Sequence, residues 1–177
     1  MGAEITRQPV RVFAACLVTV LAPAVVASAS SADAPKPAVQ PAPAPAAAAG
    51  PAQPGDTASW LAVAREAAGA CPGLPPAVLV AVGQVETGLG ALSTTSTAGA
   101  VGPMQFLPST WAAYGVDGDG DGVADPTDPS DALAGATRLL CANGGADSDR
   151  LASALWNYNH SDDYVRLVLA VARFLPG

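Results

Sequence analysis

Apolar positions recur at helical spacing along most of the chain beyond residue 57. Residues 79–90, LVAVGQVETGLG, form the most apolar of these stretches. Counting by turns puts Val78, Val82, Val85 and Leu89 on one face, with Glu86 at its edge. A carboxyl group in that position is partly desolvated, which favours its protonated form. Spacing alone equally describes a boundary glutamate that reaches water past small neighbours. Residues 59–70 predict a preceding helix, capped by Thr57 or Ser59 and ended near Gly69, with Cys71, Pro72 and Gly73 as a turn. Pro75 and Pro76 suit the first turn of the Glu86 helix, and Gly88 and Gly90 end it. Further helices are expected at 108–114, 129–142, 149–158 and 162–174. The last has a stripe of Tyr164, Leu167, Val168, Val171 and Leu175. No segment alternates as a strand would, so the pattern predicts a small all-α domain of about six helices.

The pattern breaks down before residue 57. Residues 1–29 carry Arg7 and Arg11, then an apolar run, then Ala27, Ser28 and Ala29, the three parts of a secretory signal peptide. An uncleaved anchor is the alternative reading, and Pro23 with the small-residue end speaks for cleavage and against a lasting membrane span. Residues 30–56 are Pro and Ala with almost no large side chains, an extended spacer that buries too little to order itself. Residues 57–177 are the folded domain, long enough to bury a core.

Charge and cysteine content narrow the function. The formal net charge is −7, and six carboxylates lie between Asp117 and Asp131, so the acidity is local. No basic patch with interleaved aromatics exists, which argues against nucleic acid as a partner. An anionic polymer must instead be bound by shape and hydrogen bonds. Removing the leader leaves Cys71 and Cys141, which in an exported chain suggest one disulfide; two free thiols are the alternative. A zinc site is disfavoured, because His160 is the one histidine and no CxxC spacing occurs.

Residues 117–128, DGDGDGVADPTD, place Asp117, Asp119 and Asp121 at positions 1, 3 and 5 of an EF-hand-like loop. Gly122 follows at 6, the Val123 carbonyl at 7 and Asp125 at 9. Asp128 stands at position 12, where glutamate is usual, and Asp131 is a second candidate for the closing ligand. Hard oxygen ligands in this order suit Ca²⁺ in a structural role, while a flexible acidic loop with helix-capping aspartates is the plainer reading.

Two further blocks flank this loop: residues 96–111, STAGAVGPMQFLPSTW, and residues 154–160, ALWNYNH. In the first, small residues allow close backbone approach, Gln105 offers donors and an acceptor, and Met104 and Phe106 offer apolar surface. In the second, Tyr158 and Asn159 stand at a helix end, and a structural aromatic pair of Trp156 and Tyr158 is the plainer reading. Taken in order, VETG, AGAVGPMQFLPSTW, DGDGDG followed by DP, and NYN resemble the lytic transglycosylases of the lysozyme-like superfamily, most closely the membrane-bound lytic transglycosylase B type. The resemblance covers roughly residues 60–172.

The resemblance implies a helical lysozyme-like domain that cleaves the bacterial cell-wall glycan between N-acetylmuramic acid and N-acetylglucosamine. It makes Glu86 the catalytic acid and gives Ser96, Met104, Gln105, Tyr158 and Asn159 to sugar binding. Thr87 stands where many relatives have serine. Glycoside hydrolysis ordinarily uses two carboxylates, whereas a transglycosylase needs one, because the sugar's own 6-hydroxyl attacks and leaves a 1,6-anhydro product. The expected protein is a secreted, wall-associated monomer acting on peptidoglycan strands. A hydrolase using Asp162 or Asp163 to position water, and a non-catalytic calcium-stabilised wall-binding module, are the alternatives.

Overall fold

The computed structural model describes residues 51–92 and 95–176. The expected leader and the expected spacer as far as residue 50 lie outside the described residues. Those described fold as six helices: α1 (Thr57–Ala68), α2 (Pro76–Thr87), α3 (Pro108–Tyr114), α4 (Pro129–Ala142), α5 (Leu151–Asn159) and α6 (Asp162–Ala172). An isolated antiparallel bridge between Val101 and Phe106 is the one β feature among them. The described domain is therefore all-α, as the periodicity predicts. None of its helices is long and apolar enough to cross a membrane.

α2 is the helix the others surround. It is buried without a break from Ala77 to Gly83, as expected of a helix apolar on every side, and it packs against α1, α4 and α6. Its fit with α1 depends on Gly83, where a Cβ would come within 2.6 Å of the Trp60 ring and 3.2 Å of the Met104 sulfur. Pro76 opens the helix, and Gly88 closes it in the left-handed conformation (φ 61°), its N–H donating to the carbonyl of Gln84. Leu89 was expected to continue the helical face. It lies instead beyond the cap, with φ 58°, and is buried all the same.

Other ends differ by a few residues from the expected ones. α1 is capped by Asp56, whose carboxylate accepts from the N–H groups of Ala58 and Ser59, rather than by Thr57 or Ser59. α5 begins at Leu151, because Asp147 and Asp149 are used in the preceding turn, where the Asp149 N–H donates to the Asp147 carboxylate. On α6, Tyr164, Val165 and Val168 are buried while Leu167 is 52% exposed, so the buried stripe is narrower than the spacing suggests.

The packed chain also reaches back before α1. Ala52 is buried, the Trp60 indole N–H donates to the Gln53 carbonyl (3.1 Å), and the Gly55 N–H donates to the Leu89 carbonyl (3.0 Å). Across the domain, Cys71 after α1 and Cys141 in α4 form a disulfide with a Cα–Cα distance of 5.9 Å and a sequence separation of 70. In the chain-entropy account a loop of this length stabilises by about 4 kcal/mol. Cys141→Ser is therefore expected to lower the unfolding free energy by roughly that amount, read as a lower urea midpoint with a steeper slope, because the unfolded chain freed of its loop exposes more surface.

Candidate active site

The C-terminal turn of α2, the segment before α3 and the end of α5 enclose an open cavity of about 370 Å³, lined by Glu86, Ser96, Ala100, Gln105, Leu107, Tyr158, Asn159 and His160. Five residues singled out in the sequence, Glu86, Ser96, Gln105, Tyr158 and Asn159, thus meet in one place. Glu86 is the one carboxylate in that described lining. Asp162 and Asp163 lie outside it; both are exposed in the first turn of α6, and Asp163 pairs with Arg166.

Glu86 sits in the last turn of α2, half-buried. Burial raises its pKa, and a hydrogen bond from the Tyr164 hydroxyl to Glu86 Oε1 (2.8 Å) opposes the rise. The negative end of the helix dipole disfavours its ionised form as well. Tyr164 is the site residue that the sequence reading missed, since its place in the α6 stripe marks it only as core. It stacks on Tyr158, with ring centroids 6.3 Å apart and an interplanar angle of 6°. Burial, followed by the negative charge of Glu86, pushes both phenols upward in pKa, so they act as hydrogen-bond donors and not as bases. Trp156 and Tyr158, a pair on the plainer reading, point to different neighbours: Tyr158 faces Tyr164 and Phe106, and Trp156 packs on His160.

Opposite Glu86, residues 101–106 make a tight turn closed by two backbone bonds between Val101 and Phe106. Gln105 adopts a left-handed conformation (φ 51°), and both its backbone N–H and its Nε2 donate to the Gly102 carbonyl (3.1 and 2.9 Å). The Tyr158 hydroxyl donates to the Met104 carbonyl (2.8 Å). The hydroxyl of the buried Thr87, next to Glu86, donates to the Pro103 carbonyl (2.7 Å). Met104 is the exception among the expected sugar contacts. Its side chain is fully buried against the core, and only its carbonyl serves the site, by holding Tyr158. Ser96 accepts from the Ala100 N–H (3.0 Å), which shapes the loop above the cavity.

The acidic loop lies behind this turn. One oxygen each from Asp117, Asp119 and Asp131 lies within 4.8 Å of the others, an arrangement that could hold a metal ion. Asp131 is 2% exposed, and its two oxygens accept from the N–H groups of Gly118 (2.6 Å) and Asp125 (2.8 Å), tying both ends of the loop together. Asp128 is used differently: it caps α4 by accepting from Ser130 and Asp131. Asp121 accepts from the Val123 N–H and does not belong to the converging set of carboxylates. The loop touches the turn directly, since a Cβ on Gly102 would come 1.8 Å from the Pro126 carbonyl oxygen. No real Cβ tolerates that distance. Gly102→Ala, which also faces strain at φ 75°, is therefore expected to lower stability by roughly 1–3 kcal/mol and to displace Gln105. Melting and amide chemical shifts of residues 101–106 would check this.

Residues 91–153 match the family model described as the transglycosylase SLT domain, a span that begins after Glu86 and ends before Tyr158. No curated relative matches the chain significantly. Among solved structures, Escherichia coli lytic transglycosylase SLT35 in complex with calcium is similar at 19% identity and a TM-score of 0.55, over 63% of this chain and 69% of that one. The same enzyme in complex with bulgecin A is similar at 19% identity and a TM-score of 0.55, over 63% of this chain and 68% of that one. A 36 kDa muramidase/transglycosylase gives 19% identity and a TM-score of 0.55, over 63% of this chain and 69% of that one. Residues 91–153 thus resemble a transglycosylase SLT domain in sequence, and the helical fold that contains them is shared with SLT35.

Proposed function

We propose that the chain is a secreted peptidoglycan lytic transglycosylase that cleaves the β-1,4 bond between N-acetylmuramic acid and N-acetylglucosamine with Glu86 as its single catalytic carboxylate. The observation that carries this reading is the cavity itself, in which a desolvated glutamate stands among hydrogen-bonding neutral side chains. Protonated Glu86 gives its proton to the glycosidic oxygen as the bond from that oxygen to the anomeric carbon breaks. The carboxylate so formed takes the proton of the 6-hydroxyl as that oxygen bonds to the anomeric carbon. Glu86 is restored, no water is consumed, and a 1,6-anhydro sugar is released. An intramolecular nucleophile has a high effective concentration, which removes the need for a second carboxylate. Tyr164 orients the Glu86 carboxyl, while Gln105, Asn159 and Ser96 hold the sugar's acetamido and hydroxyl groups.

Calcium is the cation we assign to the acidic loop, with Asp117, Asp119 and Asp131 as its carboxylate ligands. All-oxygen ligands suit a hard cation, and such a charge would offset the repulsion among three converging carboxylates. Its role is structural: it would fix the loop against which Gly102 packs. The SLT35 structure with calcium supports the assignment. Adding a chelator should lower the melting temperature, and Asp119→Ala, which removes an exposed ligand, should abolish that response; equal melting with and without chelator would remove calcium from this account.

The reaction is tested with Glu86→Gln. Loss of a general acid is expected to reduce glycan cleavage by roughly 10²- to 10⁴-fold, and retained cleavage would overturn the role of Glu86. The same variant carries a pH signature. A carboxyl whose folded pKa is raised contributes stability below its unfolded pKa, near the ordinary 4.5 of a free glutamate, and loses it as pH rises through the folded pKa. Glutamine has no ionised form, and its oxygen can still accept from Tyr164. Glu86→Gln should therefore melt above the parent at neutral pH, with the difference closing below the unfolded pKa. Mass spectrometry of the parent's products then separates an anhydro sugar from a hydrolase product, which is heavier by one water.

A further inference from the structure

The cavity does not end at Asn159. α5 stops at His160, held in the left-handed conformation (φ 54°, ψ 34°), and His160 both lines the cavity and packs edge-on against Trp156, with ring centroids 4.8 Å apart. Trp156 is 41% exposed, while Trp60 is fully buried and Trp111 is half-buried with its ring against Phe106. An indole so exposed, joined by one side chain to a polar cavity, needs a reason. Roughly 300–1,000 Å³ is usual for a small-molecule site, so a cavity of about 370 Å³ seats only a short piece of a polymer. A strand bound at Glu86 must leave it over one of its rims.

We propose that Trp156, backed by His160, is a saccharide subsite that holds the glycan strand beyond the cavity by stacking on the apolar face of one pyranose ring. This rests on the glycan reading of Glu86. In a β-1,4-linked amino sugar the hydroxyl and acetamido groups point outward from the ring edge, leaving axial C–H groups on its faces. A rigid indole covers such a face at small entropic cost, since it has only two side-chain torsions to fix. His160 holds the indole from the side that adjoins the cavity. The aromatic neighbour of each ring separates two tasks in the ALWNYNH block: Tyr158 turns inward to Tyr164 and the catalytic turn, and Trp156 serves the strand outside.

The test uses Glu86→Gln, which binds without turnover, and β-1,4-linked N-acetylglucosamine oligomers of increasing length followed by calorimetry and tryptophan emission. Because Trp60 and Trp111 are packed in the protein, a change in emission on binding of longer oligomers is expected to come from Trp156. It should vanish in Trp156→Phe, which keeps an aromatic face and most of the affinity. Trp156→Ala should weaken binding of the longer oligomers by about tenfold and leave the shortest binding ligand unchanged. In the otherwise native enzyme, Trp156→Ala should raise KM for peptidoglycan at nearly constant kcat, with unchanged melting. Equal affinity of Trp156→Ala and its parent at every length would overturn the subsite while leaving the reading of Glu86 intact. Failure of Glu86→Gln to bind any oligomer would bring down both.

Discussion

The turn at residues 101–106 is the constraint on which the site depends, because three parts of the chain hold it. Thr87 fixes it from the helix that carries Glu86, Tyr158 from α5, and the Pro126 carbonyl abuts Gly102 from the acidic loop. Each contact is to a backbone atom of the turn, so the position of Gln105 is set by the surrounding fold more than by its own side chain. Met104 shows the same logic. Its side chain fills the core beside Gly83, and its carbonyl is left to orient the tyrosine.

The protein handles its carboxylates in two opposite ways. Glu86 stands alone in the cavity lining, desolvated, with a single tyrosine hydroxyl to orient it, and this favours a proton on the carboxyl. The aspartates of residues 117–131 are crowded together, and the backbone N–H groups of the loop itself satisfy much of their demand for hydrogen bonds. The first arrangement suits proton transfer. The second suits charge held in place, and Asp131, buried and bonded at both loop ends, is the fixed point of it.

The aromatic residues divide along the same lines. Tyr158 and Tyr164 stack with their hydroxyls committed to the Met104 carbonyl and to Glu86, which couples α5 and α6 to the two sides of the cavity. Phe106 lies against both Tyr158 and Trp111, so the base of the turn is packed on α3 and α5 together.

Much of this was legible in the chain because its causes are local. Helical spacing, prolines at first turns and glycines past last turns placed the helices to within a few residues, and the apolar stretch around Glu86 marked the helix that became the centre. The resemblance carried by four blocks in order pointed to Glu86, Ser96, Gln105, Tyr158 and Asn159, which do meet. Contacts between distant segments were not legible, since no spacing encodes them. Tyr164 looked like core because a stripe cannot show that its hydroxyl reaches a carboxylate 78 residues away. Met104 looked exposed to sugar because its neighbours are, and Asp128 and Asp131 were equivalent until one became a helix cap and the other the buried tie. The helices, the order of the functional blocks and the crowding of acid in one loop follow from the chain, since all are properties of neighbours along it. Which phenol holds Glu86, which aspartates converge and which tryptophan faces out follow from packing, because burial and hydrogen-bond partnership belong to the folded whole.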